Sequence, residues 1–139
     1  PLTVAYPVVI FSHGYGGCAV QSTFLTRAIA QAGYIVVATD HADANCGNAI
    51  KHKTRIGRML NRDEDKRPQE KFRAPEKWND LTYVDRRDDI TAIADGLAKN
   101  PQIGGVAAAM DDGYALMGHS LGGYTVMGLG GAWPSWKDR

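Results

Sequence analysis

The chain is expected to adopt an α/β fold, a parallel sheet flanked by helices, and three observations point there. Short continuous apolar runs, such as Val8-Val9-Ile10-Phe11 and Tyr34-Ile35-Val36-Val37-Ala38-Thr39, have the length of strands buried on both faces. Between those two runs, Phe24, Leu25, Ala28, Ile29 and Ala32 recur at helical spacing, which makes a strand–helix–strand unit of some thirty residues. A third apolar run, Tyr114-Ala115-Leu116-Met117, leads directly into a glycine-rich turn and a further helix.

The elements follow in order. The first strand spans Val8 to Ser12 and runs into His13-Gly14-Tyr15-Gly16-Gly17. Gly33 is placed to stop the first helix. The second strand closes at Asp40-His41. The stretch 45–80 is crowded with charge, holds Pro68 and Pro75, and reads as a solvated surface insertion with a short helix around Ile56, Met59 and Leu60. A loop of that length is also placed to border a site and shape substrate entry. Ile90, Ile93, Ala94 and Leu97 mark the next helix; Thr82 and Asp85 have the spacing of a capping-box variant, and Asn100-Pro101 is its stop. Residues 104–109 read as a small-residue linker, and Asp111-Asp112-Gly113 as a turn. A small-residue helix from Tyr124 to Leu129 follows the third strand.

A net charge of +1 over 139 residues gives no reason to expect nucleic acid or an anionic membrane as partner, and no apolar run is long enough to cross a bilayer. One domain fits the length. Cys18 and Cys46 form no zinc pattern. Two free thiols are the ordinary reading; a disulfide in an exported protein is the alternative, since each cysteine follows a strand and parallel neighbours bring both to one sheet edge.

The chemistry centres on Gly118-His119-Ser120-Leu121-Gly122, a G-x-S-x-G motif set between a strand and a helix. A serine there stands on a sharp turn with its hydroxyl clear of the sheet, and the flanking glycines let strand and helix approach. Ser120 is the expected nucleophile. The helix start directs N–H groups and the positive end of its dipole at the site. The N–H of Leu121 and the N–H of Tyr15, on the glycine-rich loop after the first strand, are the expected oxyanion donors. Tyr15, His119 and His41 are expected to line the substrate site. The glycine loop lacks the third glycine of a dinucleotide fingerprint, and no G-K-[ST] is present, so nucleotide binding is a minor alternative.

The run Val9-Ile10-Phe11-Ser12-His13-Gly14, the strand ending Asp40-His41, and Gly118-His119-Ser120-Leu121-Gly122-Gly123 together resemble the α/β-hydrolase superfamily. Within it the chain is similar to bacterial dienelactone-hydrolase-related and platelet-activating-factor-acetylhydrolase-like esterases, and to bacterial cutinases and polyester hydrolases. The charged insertion 45–80 looks like the acetylhydrolase branch, whereas true dienelactone hydrolases carry cysteine at the place of Ser120. The resemblance implies an α/β-hydrolase fold and hydrolysis of a small-molecule or polymer carboxylic ester through an acyl-enzyme, without metal or cofactor. It also implies substrate contact by Tyr15.

That family orders its triad serine, acid, histidine. Here nineteen residues follow Ser120, none of them histidine, and the one acid among them is Asp138. Of the four histidines, His13 reads as structural, His52 as solvated, and His119 as too near Ser120 in sequence to serve it; His41 lies at the catalytic edge. The chain is therefore expected to be the N-terminal part of one hydrolase domain, truncated after the nucleophile helix. A missing C-terminal segment or a second chain would supply the Asp and His. A noncatalytic binding module is the rival reading. A secreted or periplasmic location is favoured over the cytoplasm.

Overall fold

The computed structural model describes residues 4–46, 72–79 and 81–136. Strand β1 (Ala5–Ser12) is central. On one side it pairs in parallel with β2 (Ile35–Ala38), placing Ile10 beside Val37. On its other side it pairs in parallel with two strands in succession. Its first half meets β4 (Val106–Ala109) and its second half meets β5 (Ala115–Gly118), with Ile10 beside Leu116. The short β3 (Gln102–Ile103) adds antiparallel to β4.

The sheet is thus mixed, where an all-parallel one was expected. The reason lies in the stretch read as a linker. Gly104 and Gly105 both take positive φ, 55° and 87°, which is the geometry of a two-residue hairpin turn. The small side chains of Val106-Ala107-Ala108-Ala109 then form a strand that fits against β1, with Ala107 and Ala108 buried.

Among the described residues three helices flank the sheet: α1 (Thr23–Gln31), α2 (Val84–Lys99) and α3 (Leu121–Met127). Val8 and Ile10 of β1 pack with Ile90, Ala94 and Leu97 of α2 and with Ala108, and Ile35, Val37 and Leu116 join them. Their alternate neighbours Val9 and Phe11 are buried as well, so β1 is covered on both faces. Burying one such aliphatic side chain stabilises the fold by roughly 1.5–3 kcal/mol.

Several details differ from the sequence reading. Helix α1 has no fully buried residue: Leu25 and Ile29 are half-buried, while Phe24, a hundred degrees round the helix from Leu25, is 81% exposed. Helix α2 starts at Val84 after Tyr83 in a left-handed conformation (φ 62°), without a side-chain cap; Thr82 Oγ instead accepts the Asn79 N–H. Helix α3 begins three residues earlier than expected and continues into a π-type turn at Gly128–Ala132. Cys18 and Cys46 are joined in a disulfide, with Cα atoms 5.6 Å apart, which replaces the free-thiol reading. The parallel pairing of β1 with β2 puts the two post-strand loops side by side, and the Asn45 N–H donates to Gly17 O there. The helix expected around Ile56, Met59 and Leu60 lies outside the described residues, as does most of the charged insertion.

Candidate active site

The G-x-S-x-G segment forms the turn between β5 and α3. Ser120 is exposed and takes φ 53°, ψ −115°, a strained conformation for a residue with a Cβ. Two glycines make the turn sterically feasible. A Cβ on Gly118 would lie 2.2 Å from Gly122 O, and one on Gly122 would lie 2.0 Å from Ser12 O. The helix thus starts directly against the end of β1, and the His119 N–H donates to Ser12 O at 3.1 Å.

The glycine-rich loop after β1 reaches the same place. A Cβ on Gly14 would sit 2.9 Å from His119 Nδ1 and 3.3 Å from the Ser120 Cβ. Tyr15 is therefore the next residue after a glycine whose place beside Ser120 leaves little room for a side chain, and its ring stacks on Phe72 at 4.1 Å with an interplanar angle of 2°. Phe72 continues an aromatic series through Trp78 to Tyr83 and Tyr124, the latter one turn into α3 from Ser120. At the start of α3 the Gly122 N–H is taken by His119 O, and those of Gly123 and Tyr124 by Ser120 O; Leu121 is the first helical residue.

Beneath the loop lies a buried polar network that motif reading did not find. Arg86 of α2 is 0% exposed. Its Nη2 donates to both oxygens of the buried Asp43 carboxylate, at 2.7 and 2.8 Å, and Nε adds a third bond to the same group. Its Nη1 donates to His13 O at 2.8 Å and more weakly to Ser12 Oγ at 3.4 Å. Asp43 Oδ2 also accepts the Gly16 N–H at 2.9 Å. Removing one partner of such a pair strands a buried charge, at a cost of about 3–5 kcal/mol.

His41 belongs to this network. The sequence placed it at the substrate; its side chain is 2% exposed and both ring nitrogens are engaged. Nδ1 meets Asp89 Oδ2 at 2.7 Å, and since a carboxylate only accepts, Nδ1 carries the hydrogen. Nε2 then accepts from Ser12 Oγ at 2.8 Å. Burial holds the His41 pKa below its ordinary value, and the Arg86 charge pushes the same way against the Asp89 hydrogen bond. Ser12, His41 and Asp89 have the contact distances of a hydrolytic triad, but Ser12 is 0% exposed and also faces Arg86, so this relay serves the structure. His13 is likewise internal: Nε2 accepts the His41 N–H, and Nδ1 donates to Gly14 O.

One signal for Arg86 was present in the sequence. It stands four residues before Ile90 and eleven before Leu97, on the same apolar stripe of α2, and a charged residue there must be buried and paired. Asp43 and Asp89 carry no comparable pattern.

Ser120, Leu121, His119 and the Tyr15 loop are thus gathered in one place, and His41 is set beneath it. Among the described residues no helix is long and apolar enough to cross a membrane. The mixed sheet with flanking helices is compatible with an α/β-hydrolase-like arrangement. No curated protein and no solved structure matches the chain significantly. A family model does match, over residues 3–132, that of platelet-activating factor acetylhydrolase, isoform II. That match spans nearly the whole sequence and implies an ester hydrolase: the chain belongs to the platelet-activating factor acetylhydrolase isoform II family.

Proposed function

We propose that the chain carries the nucleophile and oxyanion site of a serine esterase that works through an acyl-enzyme. Ser120 Oγ attacks the ester carbonyl carbon and gives its proton to a histidine base. The carbonyl π pair moves to oxygen, and the oxyanion accepts hydrogen bonds from the N–H groups of Tyr15 and Leu121. Each such donor is worth about 3 kcal/mol of transition-state stabilisation. Collapse breaks the carbon–oxygen bond to the alcohol, which leaves with the proton from the histidine. Water then repeats the sequence on the acyl-serine and releases the acid.

The observation that carries this reading is the exposed Ser120 at positive φ, with Gly14 so placed that a Cβ on it would lie 3.3 Å from the Ser120 Cβ. The family match supports ester chemistry. His119, exposed beside the nucleophile, and Tyr15 are assigned to substrate contact, and the Phe72–Trp78–Tyr124 series supports an apolar group on the substrate. His13 and His41 have both ring nitrogens committed inside the protein, so neither suits the base. The reading takes the base and its acid from a further segment or a second chain rather than from these two histidines.

A fluorophosphonate probe tests the reading. Labelling of Ser120 in the whole protein, absent from Ser120→Ala and accompanied by hydrolysis of a short acyl ester, is the expected result. A folded protein that neither labels nor hydrolyses would be the noncatalytic module instead.

A further inference from the structure

The loop that carries Tyr15 contains three glycines between residues 14 and 17, and such backbone is flexible on its own. A donor must nevertheless be held to within about half an ångström to serve a transition state. Side chains supply the missing rigidity. One carboxylate, Asp43, accepts the Gly16 N–H through Oδ2 and binds the Arg86 guanidinium; the same guanidinium donates to His13 O. A single ion pair thus grips the loop at residues 13 and 16, on either side of Tyr15.

The grip is rigid at its far end. Arg86 sits in the third residue of α2, fully buried, and the helix is packed on the sheet through Ile90, Ala94 and Leu97. Ser12 Oγ accepts weakly from Arg86 Nη1 and donates its own hydrogen to Nε2 of His41, whose Nδ1 is fixed by Asp89 of the same helix. A bidentate fork has one orientation, unlike a lysine ammonium.

We propose that Arg86 and Asp43 are positioning residues for ester hydrolysis, setting the Tyr15 N–H toward the oxyanion by clamping His13 and Gly16. This rests on the serine-esterase reading of Ser120.

The test compares Asp43→Asn and Arg86→Lys with the parent, in the whole protein, for thermal stability, hydrolysis of a short acyl ester, and affinity for phenylboronic acid. The serine oxygen adds to boron as its proton passes to the base, leaving a tetrahedral boronate anion, so its binding reads the oxyanion site directly. In the folded variants kcat is expected to fall roughly 10- to 100-fold with KM within about twofold, and boronate affinity to fall in parallel. Variants that melt lower yet keep kcat and boronate affinity within about twofold would overturn the clamp and leave only a structural role. Should neither variant fold, amide exchange at Gly16 in the parent decides. Protection already present without boronate supports a preset clamp, and protection gained only on binding overturns it. Ser120→Ala separates the two claims: if it still hydrolyses the ester, the reading of Ser120 fails, whereas a dead Ser120→Ala beside a normal Asp43→Asn removes the clamp alone.

Discussion

Gly122, the second residue of α3, lies against the carbonyl of Ser12 at the end of β1, so close that a Cβ there would fall 2.0 Å from the oxygen. The nucleophile turn and the glycine-rich loop are therefore held together by main-chain contact, and no neighbouring side chain can yield to relieve a substitution. Gly122→Ala is expected to destabilise the protein by about 3 kcal/mol, the upper range for overpacking. Gly123→Ala is its control, since a Cβ at Gly123 meets nothing closer than 4.0 Å. Urea unfolding of the pair should show a lowered midpoint for the first and an unchanged or slightly raised one for the second.

Ser120 combines strain with exposure. A non-glycine residue at φ 53°, ψ −115° costs of order 1–3 kcal/mol. Ser120→Gly is expected to stabilise the protein by about 1 kcal/mol while reducing ester hydrolysis at least about 10⁴-fold. Calorimetry and a steady-state assay on one preparation check both halves; a destabilised Ser120→Gly would contradict the strain argument.

Acid should weaken the buried network through His41. In the unfolded chain this histidine titrates near the ordinary value of about 6.5. In the folded chain its pKa is lower, chiefly through burial. The unfolded state then binds more protons in the interval between the two values. His41 thus contributes stability above pH 6.5 that is lost as pH falls from there toward the folded pKa, with a limiting slope of about 1.4 kcal/mol per pH unit. Urea midpoints at pH 7.5, 6.5 and 5.5 should decline in the parent and decline less steeply in His41→Gln, although that variant starts from a lower stability.

The Cys18–Cys46 disulfide closes a loop across 28 residues of sequence. Chain-entropy arguments assign such a closure about 3.6 kcal/mol. Reductant, or the double variant Cys18→Ser/Cys46→Ser, is expected to lower the melting temperature by several degrees, and reductant should then have no effect on the double variant. Thiol labelling of copies expressed in the periplasm and in the cytoplasm should find the bridge closed in the first and open in the second.

What the sequence by itself determined was local. Apolar runs of strand length located β1, β2 and β5, helical spacing located α1 and α2, and the five residues around Ser120 announced a strand–turn–helix because only glycine fits where their backbones meet Ser12 and each other. The tertiary structure alone decided what depends on residues far apart in the chain. It turned Val106–Ala109 into a strand by giving it β1 to pair with, and it joined Cys18 to Cys46. It drew His41 under the loop and set Arg86 against Asp43, forty-three positions away. Periodicity records which face of an element is buried; it holds no record of which buried charge will meet which, because that pairing is fixed by the packing of α2 on the sheet and by the cost of leaving either charge alone.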